Sequence, residues 1–131
     1  IVASVGEESG EVPYTCFIAK QRYIDEKPEK IEGFLRAVTK AIKYVNETDS
    51  ATVAQQLVPY FDGTSVSSLE VSLDSYKAID AWVTDMAMKE SAFTRLQDII
   101  ESAGELERRV EFGEIVITNV AHTVYEQVYG L

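Results

Sequence analysis

The residues whose types suit chemistry are few, and they lie far apart in the chain. The only histidine, His122, stands four residues before Glu126 in a stretch with helical periodicity, so the two side chains share one helix face. The only cysteine, Cys16, lies in a short apolar run. A metal centre usually needs three or four ligands, and a cysteine nucleophile needs a base beside it. The sequence therefore predicts no catalytic residue, no metal site and no enzyme activity.

The sequence also contains no candidate motif for binding a cofactor. No GxGxxG or Walker-type loop is present, and the glycine-containing run GEESGE (residues 6–11) carries three carboxylates that would repel a phosphate. Pairs of carboxylates such as Asp80 and Asp85 are numerous because the chain is acidic, and they indicate solvated helix faces. We therefore expect no cofactor.

The charge balance limits the possible partners. The 131 residues suit one domain, and 22 acidic against 12 basic residues give a net charge of −10. A chain of this charge is repelled by a phosphate backbone or an anionic lipid surface, so we expect no nucleic-acid partner. No apolar run approaches the roughly 18–20 residues that span a bilayer.

Most of the chain has helical periodicity. The clearest predicted helix starts at Pro28, which suits a first helical turn. Further helices are predicted along the chain. One ends before Pro59, one runs from a Ser67–Glu70 capping box along an apolar stripe to Val83, one runs from Ser91 to a stop at Gly104, and one lies near the C-terminus. The apolar face of the helix that starts at Pro28 consists of Ile31, Phe34, Leu35, Val38, Ala41, Ile42 and Val45.

Two stretches instead have β character, IVASV (residues 1–5) and YTCFIA (residues 14–19). A lone two-stranded ribbon is marginal, and strand backbones need hydrogen-bond partners. The sequence therefore predicts a mostly α chain of two short strands followed by about five helices. The strand partners are expected in another part of a longer polypeptide or in another copy of this chain.

Two longer motifs carry a family resemblance. The run PEKIEGFLRAVTKA (residues 28–41) follows the segment PYTCFIAKQRYIDEK, and MKESAFTRLQDIIESAGELERRVEFGEIV (residues 88–116) comes later. In order and spacing these resemble the C-terminal part of ABC-transporter solute-binding proteins. The branch that they resemble handles nitrate, sulfonates, taurine and thiamine pyrimidine precursors.

The resemblance implies an α/β parent fold of the type II periplasmic binding protein kind. Such proteins have two lobes and are at least about twice this length, so the chain is expected to be a fragment. Residues 1–12 would leave the second lobe, residues 13–19 would recross the hinge as a strand, and residues 20–131 would be helices packing on the first lobe.

The same resemblance implies a receptor that captures a small solute between its lobes without chemistry. The residues nearest the implied cleft are Val12 and Pro13 at the hinge, with Tyr14 and Thr15 as candidate ligand-binding residues. Tyr14 would stack on or hydrogen-bond a ligand, and Thr15 would offer a hydroxyl. The alternative is that Tyr14 only packs at the hinge, since pockets and hinge cores both favour aromatic residues.

The partners implied are a small-molecule solute and the permease subunits of an ABC importer. The location implied is extracytoplasmic, either periplasmic or as a membrane-anchored lipoprotein. An exposed strand edge would also let the fragment self-associate.

Two alternative functions belong to other classes of protein. One is a free-standing helical interaction module, and the other is an enzyme like the fungal thiamine-pyrimidine synthase, whose cysteine-rich motif is absent here.

Overall fold

The computed structural model of this protein describes residues 8–131. All regular structure in that range is helical, with no strand and no sheet, so the prediction of an α/β fold with two short strands is wrong there. One predicted strand, residues 1–5, lies outside the described residues. The other, residues 14–19, is irregular, because no segment within residues 8–131 offers the backbone partners that a strand needs.

The helices follow one another with short connections, apart from the longer loops after α4 and α5. In chain order they are α1 (Gln21–Glu26), α2 (Pro28–Glu47), α3 (Ser50–Leu57), a 3₁₀ turn (Val58–Tyr60), α4 (Val66–Ala78), α5 (Glu90–Ser102), α6 (Phe112–Ile115) and α7 (Asn119–Tyr129). Over the described range, no helix has both the length and the apolarity that crossing a bilayer requires.

Helix α2 begins as the sequence predicts. Pro28 occupies its first turn, where a missing N–H costs nothing, and Thr48 ends it by adopting an extended backbone. Its only fully buried residue is Thr39, whose hydroxyl donates to the carbonyl of Leu35 at 2.9 Å. That bond satisfies the hydroxyl within the helix, so its burial leaves no unpaired polar group.

Helices α3 and α4 form a hairpin around a small apolar core. Asp49 caps α3, since its carboxylate accepts the N–H of Thr52 at 2.8 Å, a bond that lowers the pKa of Asp49. Ser65 caps α4 by accepting the N–H of Ser68 at 3.1 Å, so the predicted cap at Ser67 is wrong by two residues. The buried core of the hairpin consists of Val53, Ala54, Leu69 and Leu73.

The end of α4 also differs from the prediction. Asp80 has a left-handed backbone (φ 51°), and the N–H of Ala81 reaches back to the carbonyl of Tyr76 at 3.0 Å. This is the Schellman arrangement, which usually employs glycine. The helix therefore stops at Ala78, and the predicted stripe does not continue to Val83.

The C-terminal helices return the chain to α2. Helix α5 stops at Gly104 (φ 75°), as predicted. Helix α7 then packs against α2 and buries Ala121 and Val124. Lys43 of α2 donates to the carbonyl of Val128 at 3.3 Å, which joins the end of α7 to α2.

Candidate functional site

The four residues predicted at the hinge lie together in an irregular stretch before α1. Val12 and Pro13 are half-buried, whereas Thr15 is exposed and Tyr14 is 96% exposed. Neither side chain of the predicted ligand-binding pair makes a hydrogen bond to any other part of residues 8–131. The arrangement leaves the phenol of Tyr14 and the hydroxyl of Thr15 available to a partner outside that range.

The stretch continues as a run of exposed apolar side chains, called here the exposed segment (residues 14–18). Ile18 is 91% exposed and Phe17 is 66% exposed. The ring of Phe17 meets the ring of Phe34 on α2 edge to face, with centroids 4.7 Å apart. Sequence reasoning identified the apolar run but did not predict this contact, which brings the exposed segment onto α2.

Two surface depressions occur elsewhere and include neither Tyr14 nor Thr15. One, of about 190 Å³, lies between α2 and α7 and is smaller than the roughly 300–1,000 Å³ of ordinary ligand pockets. The other, of about 580 Å³, is an open depression along α5 with only polar and charged side chains. The lining residues of the second are Glu90, Ser91, Thr94, Arg95 and Asp98.

His122 lies between two carboxylates. Its Nδ1 is 2.9 Å from Oδ2 of Asp85, and its Nε2 is 3.6 Å from Oε1 of Glu126. The hydrogen bond with Asp85, followed by the charges of both carboxylates, raises the pKa of His122. The shared face with Glu126 is thus confirmed. The contact with Asp85 spans 37 residues of sequence, and no local pattern predicts it.

His122 and Cys16 do not form a hydrogen-bonded pair. Cys16 is an exposed free thiol in the exposed segment, and no hydrogen bond joins it to the imidazole. Within residues 8–131, no group of three or more His, Cys, Asp and Glu side chains lies close enough to hold a metal ion.

Comparison with known proteins gives one informative match. No protein-family model matches the chain, and no solved structure matches it. The chain is 34% identical over 124 residues to a Bacillus subtilis (strain 168) protein named "Putative binding protein YtlA". The aligned region covers 95% of this chain but only 37% of that relative, so the chain corresponds to little more than a third of its length.

Proposed function

We propose that this chain is the C-terminal part of a longer solute-binding protein, the extracytoplasmic receptor of an ABC importer. The receptor captures a small solute of the sulfonate, nitrate, taurine or pyrimidine class between two lobes and delivers it to the permease without chemistry. Residues 13–19 recross the hinge, and residues 20–131 pack on the first lobe.

The likeness to the Bacillus subtilis protein carries this proposal. That relative is named as a binding protein, and its name mentions no reaction, which supports a binding role in general and disfavours an enzyme. The match extends along 95% of this chain while leaving most of the relative uncovered. The two motifs at residues 28–41 and 88–116 supply the finer family resemblance on which the solute class and the permease partner depend.

The accessible surface supports a chain that packs on further protein. A compact monomer of 14.6 kDa exposes about 6,900 Å², whereas this chain exposes 9,605 Å². The excess is about 2,700 Å², and residues 1–7 account for at most about 1,100 Å² of it, even at the value for an unfolded chain. The remaining excess supports a chain whose surface is partly covered in a larger protein.

The exposed segment and the neighbouring part of α2 form one such surface. Ile18 and Phe17 are exposed, Phe34 is 47% exposed, and nothing among the described residues lies within 4 Å of a Cβ built on Gly33. Contiguous apolar surface of this kind usually marks an interaction site. We assign it to contact with the remainder of the longer receptor, with Tyr14 and Thr15 facing the solute.

Calorimetry tests the proposed function. The protein purified from its complete coding sequence is titrated with taurine, nitrate, an alkanesulfonate and an aminopyrimidine. We expect one of them to bind with a Kd of about 1 µM, or roughly −8 kcal/mol. Residues 1–131 alone are expected to bind none of them measurably, because most solute contacts lie elsewhere. Failure of the complete protein to bind any of the four would contradict the proposal.

A matched pair of tyrosine variants tests the site. Tyr14→Ala is expected to weaken binding of that solute by about tenfold, which corresponds to about 1.4 kcal/mol. Tyr60→Ala is the control, since Tyr60 is also exposed (82%) but lies on the α3–α4 hairpin. Equal affinities of the Tyr14 and Tyr60 variants would reduce Tyr14 to a packing residue.

A further inference from the structure

The backbone just before the hinge pair is held against the start of α5. Nζ of Lys89 lies 2.8 Å from Oε2 of Glu11, and Nη1 of Arg95 donates to the carbonyl of Ser9 at 3.3 Å. These contacts join positions 78 and 86 residues apart in sequence. We call this arrangement, Ser9–Gly10–Glu11 with Lys89 and Arg95, the clasp.

Gly10 suits the clasp for two reasons. Its backbone is left-handed (φ 67°), a conformation that residues with a Cβ rarely adopt. A Cβ at this position would also lie 2.6 Å from Nη1 of Arg95, so a larger residue would displace the guanidinium from the carbonyl of Ser9. The close approach of Arg95 to the backbone therefore depends on glycine.

The clasp ends where the exposed segment begins. Glu11 is followed directly by Val12 and Pro13, which are half-buried, and then by Tyr14, which is almost fully exposed. Proline fixes its own φ, so one of the few backbone torsions between the clasp and Tyr14 is already set.

We propose that the clasp is a reversible restraint on the hinge, in which Lys89 and Arg95 are positioning residues that set where Tyr14 and Thr15 lie. The part of this inference that concerns the hinge rests on the proposed function. The restraint itself is made by the contacts of Lys89 with Glu11 and of Arg95 with the carbonyl of Ser9.

The exposure of the ion pair suits a contact that opens and closes. The side chains of Lys89 and Glu11 are 65% and 50% exposed, and exposed pairs of this kind are weak and screened by salt. The hydrogen bond with Glu11 and the charge of that carboxylate raise the pKa of Lys89, and the charges of Asp80 and Asp85 add to this effect. Lys89 therefore stays charged at neutral pH, so the clasp responds to ionic strength.

Backbone ¹⁵N relaxation of Gly10, Glu11 and Val12 tests the restraint in the protein made from its complete coding sequence. We expect order parameters near the rigid value of about 0.85 in the unmodified protein at low salt. Glu11→Lys should lower them toward about 0.6, the value typical of flexible backbone. Lys89→Arg should keep the rigid value, because it retains the positive charge that faces Glu11, Asp80 and Asp85. Lys40→Glu, which alters an exposed lysine without an ion pair in residues 8–131, is the control.

Salt gives a second readout that does not depend on any variant. Raising NaCl from 50 to 500 mM shortens the Debye length to a few ångströms and should lower the same order parameters in the unmodified protein. Low order parameters at low salt, no change in Glu11→Lys, or a loss of order in Lys89→Arg would each overturn the restraint. Solute binding is measured separately, so the clasp and the proposed function can fail independently.

Discussion

The α3–α4 hairpin and the α2–α7 pair bury apolar surface in different ways. The hairpin joins helices that are neighbours in sequence and closes around Val53, Ala54, Leu69 and Leu73. The core residues come from two consecutive helices, and several flanking residues pack on them. Those flanking residues are Val45, Leu57, Val58, Val66 and Trp82.

The α2–α7 pair joins helices from opposite ends of the described range. Helix α7 contributes the buried Ala121 and Val124, but the only fully buried residue of α2 is Thr39. Phe34 and Tyr44 on α2 remain 47% and 43% exposed. The hairpin therefore closes its core with contacts between consecutive helices, although Val71 and Tyr76 stay exposed on it, whereas the α2–α7 contact depends on helices far apart in sequence.

The largest effect that this comparison predicts is in the hairpin core. Leu73 is 4% exposed, and Leu73→Ala is expected to lower the free energy of unfolding by about 2–5 kcal/mol through lost burial and the cavity left behind. Chemical denaturation followed by circular dichroism measures this. Val71→Ala on the same helix is the control and should change stability by less than about 0.5 kcal/mol, because Val71 is 66% exposed. If both variants lose several kcal/mol, the hairpin does not close on itself as described.

A smaller loss is expected where α7 ends on α2. Nζ of Lys43 donates to the carbonyl of Val128 and lies 4.7 Å from the centre of the Tyr129 ring. Lys43→Met keeps the apolar stem but removes the hydrogen bond, the cation–π contact and a 4.0 Å ion pair with Glu47, at a cost of about 1–2 kcal/mol. Thermal unfolding of Lys40→Met, which changes the same charge on the same helix, provides the comparison. Equal stability of the two variants would show that α7 is held by its apolar residues alone.

The helix ends show how far sequence reasoning reaches. The stop of α5 was predictable because Gly104 adopts a left-handed backbone without a Cβ penalty. The same Schellman arrangement ends α4 at Asp80, where the residue type gives no such signal. The cap at Ser65 was missed because Ser67 and Glu70 form an equally good local pattern. Here the turn before the helix, rather than the residue types, decides which serine caps.

The candidate site was predictable only in part. An apolar run without helical periodicity marked residues 14–19, but β character alone does not make a strand without a neighbouring chain. The structure accordingly leaves the run irregular and exposed. The contacts of Lys89 with Glu11 and of His122 with Asp85 join residues 78 and 37 positions apart. Contacts at such distances depend on the packing of whole helices, so no local spacing reveals them.

The smallest predicted effect concerns pH and the contact of α7 with the loop after α4. The hydrogen bond with Asp85 is the main cause that raises the pKa of His122 above 6.5, and the nearby charge of Glu126 adds to it. A raised folded-state pKa means that the protonated imidazole stabilises the folded protein. That stabilisation is complete below about pH 6.5 and is lost as the pH rises through the higher folded-state value.

Because His122 is the only histidine in the chain, its titration can be followed in residues 1–131 by NMR without overlap. The melting temperature of the unmodified chain should fall slightly between pH 6 and pH 8.5 relative to that of His122→Gln. Asp85→Asn should return the pKa of His122 toward 6.5, whereas Glu126→Gln should shift it less, since Glu126 lies farther away, at 3.6 Å against 2.9 Å. A larger shift in Glu126→Gln would mean that the imidazole is held within α7, and that the loop after α4 is free of it.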